Sequence, residues 1–112
     1  MAKVIITSEL RERIDKIFKK ESVEIFELLL TLEENPKKGK EVGVVGAVLI
    51  KELKYKKFRF YFITDGFKVK YLSLDELKDL FIKFVRMSEK KDQQEVINEI
   101  KYILSNLGEE GF

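Results

Sequence analysis

At 112 residues, with 45% hydrophobic and 12% aromatic content, the chain has the composition of one globular domain able to bury a core. It contains no His and no Cys, which excludes disulfides, thiolate or His-based metal sites and every His-dependent triad, so any chemistry falls to Lys, Arg, Tyr and carboxylates. The net charge of +2 hides an asymmetry: from Pro36 to Tyr71 ten Lys or Arg stand against three Asp or Glu, while the segments on either side are net acidic. A local field of this kind suits phosphate or an acidic partner; the alternative is the solvated surface of a charge-rich protein. Lys and Glu dominate the 38% charged fraction, a pattern found in thermophile proteins. No apolar run is long enough to span a membrane and no cleavable leader pattern opens the chain, so the expectation is a cytoplasmic protein with no membrane partner.

Val4 to Ile6 is β-branched and reads as an edge strand. Thr7 or Ser8 is placed to cap a helix whose apolar face holds Leu10, Ile14, Ile17 and Phe18. Lys19 to Glu21 marks a break and Ser22 a second cap. Val23, Phe26, Leu29 and Leu30, with Ile25 and Leu32 beside them, then form a broader apolar face. Asn35-Pro36 ends this region, because the residue before Pro avoids the helical well. Pro36 to Gly43 is polar and loop-like, and Gly43-Val44-Val45-Gly46 reads as a flexible entry to a strand.

Ala47 to Leu53 and Phe58 to Thr64 are expected strands, joined by the charged segment Lys54 to Lys57. Phe58, Phe60 and Phe62 share one face of the second, which reads as core, and Arg59, Tyr61 and Ile63 share the other. Asp65-Gly66 is a hairpin signal, so Phe67 to Leu72 reads as a third strand with Lys68 and Lys70 alternating against Val69 and Tyr71. Ser73 and Glu76 form a capping box. Asp75, Glu76 and Asp79 fit a helix N-terminus better than a metal cluster. Leu80 to Met87 is a last strand, Ser88 to Asp92 a turn, and Gln93 to Leu107 a helix with a stripe of Val96, Ile100, Ile103 and Leu107, stopped by Gly108. The fold class is α+β: two N-terminal helices packed on a three- to four-stranded antiparallel sheet, followed by a C-terminal helix.

This order, together with several local sequences, resembles the RelE/ParE superfamily of toxins from toxin–antitoxin modules over nearly the whole chain. Leu32-Glu33-Glu34-Asn35-Pro36 with Gly39 looks like the family's helix-to-sheet junction. Ile50 to Leu53 followed by Phe58-Arg59-Phe60-Tyr61-Phe62 looks like its central strand pair, and Leu80 to Met87, Lys90-Lys91 and the helix from Gln93 like its last strand, basic turn and final helix. The resemblance implies a cytoplasmic toxin held by a cognate antitoxin, acting on the ribosome or messenger RNA as a metal-independent endoribonuclease without a cofactor. The alternatives are a non-enzymatic binding toxin of the gyrase-inhibitor type, or a non-toxic adaptor on the same fold. In the nuclease branch sheet Lys and Arg carry the work. Arg59 matches the sheet arginine, Lys91 the basic residue after the last strand, and Lys51 and Lys54 loosely the first-strand lysines, while Ile97 stands where that branch often has a Tyr.

The chemistry asked of these residues is transesterification by the RNA's own 2′-hydroxyl. It needs a base, an acid and positive charge around the phosphorus. A Lys with a pKa lowered by crowding cations can serve as base, and Arg59 as a fixed fork on the developing charge. Lys56, Lys57, Tyr61, Lys68, Lys70, Arg86 and Lys90 are the expected contacts to the nucleic acid.

Overall fold

The computed structural model describes residues 1–112. Its elements are β1 (Lys3–Ile6), α1 (Ser8–Phe18), α2 (Ser22–Leu30), β2 (Lys40–Val45), β3 (Val48–Tyr55), β4 (Phe58–Asp65), α3 (Gly66–Tyr71), β5 (Phe81–Glu89) and α4 (Gln93–Leu107), with single 3-10 turns between several of them. The fold is α+β, and the sheet has five strands in the order β1-β5-β4-β3-β2. It is mixed: β1 lies parallel to β5, and the other neighbours are antiparallel. The sheet is therefore wider than the expected three or four antiparallel strands, because both an N-terminal strand and the Lys40–Val45 segment join it. No helix is long and apolar enough to cross a membrane.

Both faces of the sheet are covered. Phe60, Phe62 and Phe84 lie with Leu10, Ile14, Ile25, Leu29 and Leu32 in one buried cluster under α1 and α2. Tyr61, Ile63 and Val85 lie with Ile97, Ile100 and Leu104 in a second cluster under α4. The alternation in β4 thus works as the sequence suggests. A bulge opposite the Tyr61–Phe62 step accommodates an extra residue in β5, since Tyr61 pairs with Arg86 but Phe62 with Phe84. Val85 and Arg86 consequently both serve the α4 side.

The helix faces are rotated from those expected. Thr7 caps α1 as its sequence suggests, its hydroxyl accepting from Leu10 N at 3.3 Å. Lys19, at φ 51°, ends that helix. Ser22 makes no capping bond and is buried in the first turn of α2. Ile17, Val23 and Leu30 are exposed, because Leu10 and Ile14, then Ile25, Leu29 and Leu32, already fill the contact with the sheet. On α4 the buried line is Ile97, Ile100 and Leu104, not Val96, Ile103 and Leu107.

Two segments change class. Phe67 to Leu72 is not a strand: Asp65 accepts from Lys68 N at 3.0 Å and caps the short helix α3. An N-cap and a hairpin turn both favour Asp followed by Gly, and six residues are too few for periodicity to separate them. The hairpin lies earlier, at Lys56-Lys57, with Lys56 at φ 54° and β3 extended to Tyr55. Lys40 to Val45 is a strand rather than a loop, paired along β3 with an irregularity between Glu41 and Gly43. Lys101 of α4 crosses at Gly43, 2.7 Å from where a Cβ would stand. Gly46, at φ 58°, makes the turn into β3.

Phe60 is fully buried in a central strand, so Phe60→Ala is expected to cost about 3–5 kcal/mol in urea unfolding. Phe67→Ala, on the exposed side of α3, is expected to stay within about 0.5 kcal/mol.

Candidate nucleic-acid interface

Pairing of β3 with β4 sets Lys54 opposite Arg59 and Glu52 opposite Tyr61, and pairing of β4 with β5 sets Arg59 opposite Ser88. These residues therefore share the face that α4 covers. At this end the sheet is incomplete: β2 begins at Lys40, opposite Glu52, so Leu53 to Tyr55 have no strand beside them on that edge. The loop at Lys38-Gly39 and the turn into α4 close around the gap to form a cleft of about 560 Å³. Lys38, Lys40, Lys54, Arg59 and Lys90 line it, with Glu52 as the one acidic residue. Gly39 is needed in its wall. Its φ is +104°, and an added Cβ would stand 3.1 Å from both Glu52 O and the Phe62 ring.

At the floor of the cleft Glu52 and Arg59 are both buried. Arg59 Nε lies 3.6 Å from Glu52 Oε2. Arg59 Nη1 also donates to Phe58 O at 3.0 Å and to Lys56 O at 3.3 Å. Gln93, the first residue of α4, donates its Nε2 to both Glu52 oxygens, at 2.9 and 3.1 Å. The carboxylate is thus fully engaged and holds the guanidinium in one orientation. Around this neutralised pair, Lys38, Lys40, Lys54 and Lys90 form no ion pair. Unpaired lysines around a fixed arginine make an anion-binding surface, with Arg59 as its rigid element and the lysines as mobile point charges.

Of the expected site residues, Arg59, Lys54 and Lys90 are brought together in the cleft. Lys51 is not with them. It pairs across from Phe62, on the face under α1 and α2, where its Nζ donates to Lys37 O at 2.9 Å and sits 5.9 Å from the Phe62 ring. Its pKa is lowered, but by burial, with Glu41 opposing the shift, and not by crowded cations. Lys91 is exposed outside the cleft and pairs with Glu89 at 3.5 Å.

Several expected nucleic-acid contacts also have partners within the fold. Lys56 bridges to Glu21 at 2.8 Å, Lys57 to Glu89 at 2.9 Å and Arg86 to Glu99 at 2.6 Å, with Arg86 also over the Phe112 ring. Tyr61 is wholly buried, its hydroxyl sharing a hydrogen bond of 2.8 Å with Ser88, and burial pushes its pKa up. It can neither stack on a base nor pass a proton to a ligand. Lys68 and Lys70 ride on α3, where Lys70 approaches Glu41 at 4.0 Å. Two residues of the site escaped the sequence reading. Glu52 is the anchor of Arg59, and Gln93 the anchor of Glu52. A signal for Gln93 was present: it continues the stripe of Ile97, Ile100 and Leu104 by one turn, so a polar residue had to face the sheet.

No protein-family model matches the chain, and no curated protein or solved structure does.

Glu52→Ala is expected to cost about 3 kcal/mol, because it strands the buried Arg59 charge, whereas Lys54→Ala is expected to stay within about 0.5 kcal/mol; urea melts of both variants check the division between anchor and free cation. The lowered Lys51 pKa means that its charged form opposes folding at neutral pH, and that this cost is lost as pH rises through the folded value. The stability difference between wild type and Lys51→Met is therefore expected to shift in favour of wild type as pH approaches the ordinary lysine value of about 10.4, measured by chemical denaturation along the pH series.

Proposed function

We propose that this chain is a RelE/ParE-like toxin that engages messenger RNA on the ribosome through the cleft between β3, β4 and the start of α4, and that a cognate antitoxin restrains it. The observation that carries this reading is the convergence of Lys38, Lys40, Lys54, Arg59 and Lys90 on one concave site with a single, already neutralised carboxylate. A phosphodiester entering such a site exchanges its counterions for fixed cations. Arg59, oriented by Glu52 and two peptide carbonyls, is suited to the charge that develops on phosphorus during attack by the 2′-hydroxyl. Lys54 on the β3 side of Arg59 and Lys90 on its β5 side, both unpaired, are the groups available for the proton transfers: one as the amine takes the hydroxyl proton, and the other as the ammonium supplies one to the departing oxygen.

A second reading, binding without cleavage, is favoured by a specific feature. Glu52 has both oxygens occupied by Gln93, and Lys51, the lysine whose pKa burial lowers, projects from the other face of the sheet. A protein with this cleft can block its target by occupancy alone, whether on the ribosome or on gyrase.

Expression of the chain alone, with primer extension across ribosome-bound messages, separates the two. The nuclease reading expects growth arrest with new message ends, and loss of both in Arg59→Met and Lys54→Ala. Growth arrest with intact messages supports binding alone, and arrest with stalled DNA supercoiling selects the gyrase-type target. Wild type that neither slows growth nor touches message sinks the toxin reading. For RNA binding itself, each of Lys54→Ala and Lys90→Ala is expected to flatten the dependence of log affinity on log salt by about 0.7, the value of one phosphate contact on a single strand.

A further inference from the structure

α3 carries two aromatic rings that nothing in the fold requires to be exposed. Phe67 is 63% exposed and Tyr71 71%, one helical turn apart, with ring centroids 5.0 Å apart at an interplanar angle of 46°. Val69 is the residue that ties the helix to the core. Large aromatic surface left in water at this density marks a place where something binds. Lys68 and Lys70 flank the pair.

This patch is joined to the cleft by a short series of contacts. Lys70 approaches Glu41 of β2, which lies opposite Lys51 of β3. Lys51 Nζ donates to Lys37 O. Lys37 and Lys38, with Asn35 and Leu74, line a shallow hollow, and Lys38 also lines the cleft. Glu41 is acidic and Lys51 buried, so the exposed route from α3 to the cleft runs by Leu74, three residues past Tyr71, to Lys37 and Lys38, aromatic at one end and cationic at the other.

We propose that the Phe67–Tyr71 pair is a base-stacking platform for single-stranded RNA whose phosphates lie along Lys37, Lys38 and the cleft. The proposal rests on the RNA reading of the cleft and adds a second subsite to it. Charge decides the occupant. An apolar protein helix would have to cover Lys68, which has no ion pair, and Lys70, which only approaches Glu41 at 4.0 Å, whereas a single strand offers π faces to the rings and phosphates to the lysines. Every base has such a face, so the platform would confer affinity and register with little sequence preference.

Fluorescence anisotropy with two probes tests it: a short single-stranded RNA, and an abasic ribose-phosphate strand of the same length. The double variant Phe67→Leu/Tyr71→Leu keeps residues that favour helix, and circular dichroism checks that α3 and the fold persist. The variant is expected to bind the RNA on the order of tenfold more weakly, with the abasic strand affected less than about twofold. Lys54→Ala is expected to weaken both probes. In wild type, RNA is expected to quench tyrosine emission, and the part of that quenching lost in Tyr71→Leu reports Tyr71, since Tyr55, Tyr61 and Tyr102 are common to both chains and neither has Trp. If the double variant binds RNA as wild type does while Lys54→Ala does not, the platform falls and the cleft reading stands. If wild type binds neither probe, both fall. Equal losses on the two probes would also overturn the platform, because they leave no role for bases. So would a wild-type dimer that the double variant dissolves, since the rings would then be a protein interface.

Discussion

Burial of β4 on both faces is the constraint from which the rest of the molecule follows. Phe60 and Phe62 on one side, and Tyr61 and Ile63 on the other, are all without solvent contact, so both sides of the sheet need a covering layer. α1 and α2 supply one and α4 the other. The strand continues past its apolar stretch to Arg59, which falls on the α4 face where the helix is only beginning. A guanidinium in that position cannot be left unpaired. Glu52 meets it from β3 and Gln93 meets Glu52 from the first turn of α4, so the same pairing that completes the layer also builds the floor of the cleft. The site is where the apolar alternation of the central strand runs out.

That origin sets the free cations apart from the buried one. Glu52 largely meets the charge of Arg59, whose Nη1 also donates to the carbonyls of Phe58 and Lys56. The field at the mouth comes from Lys38, Lys40, Lys54 and Lys90, held near one another by the missing strand pairing beyond Lys40 and by Gly39, whose backbone conformation lets the loop lie against Phe62. Several basic residues elsewhere pair locally. Lys56 and Lys57 clamp the β3–β4 hairpin to Glu21 and Glu89, and Arg86 fastens β5 to α4. The count of ten cations from Pro36 to Tyr71 therefore overstates the site by including hairpin clamps, one buried amine and the lysines of α3.

Much of this was legible in the residues. The face alternation of Phe58 to Ile63 was, because period two over six residues on a central strand leaves no competing arrangement. So were the cap at Thr7, the capping box at Ser73, the last strand and the span of α4. Phe67 to Leu72 was not, since Asp-Gly serves both an N-cap and a hairpin turn, and what decides between them is whether another strand lies alongside. The split between Lys51 and Lys54 was legible in principle, three residues apart and so on opposite faces of one strand, but only once their membership of a single strand was known. Glu52 and Gln93 are separated by forty-one positions in sequence, and no local pattern announces a partner at that range.

The geometry also bears on what kind of cation could act as a base. A lysine shifted by burial, like Lys51, is shifted because solvent has been removed, and removal of solvent also removes the substrate. A lysine that can touch a phosphodiester must face the cleft, and the means of lowering its pKa there is the charge of its neighbours. The cleft places the unpaired Lys38, Lys40, Lys54 and Lys90 around a guanidinium whose own charge is largely met by Glu52. An anion bound beside a lysine favours its ammonium form, which holds a phosphate but accepts no proton. Binding and proton abstraction therefore draw on the same charges in opposite directions. A cleft built of cations is suited to holding an anion, and taking a proton from that anion asks one of its lysines to be present as the amine.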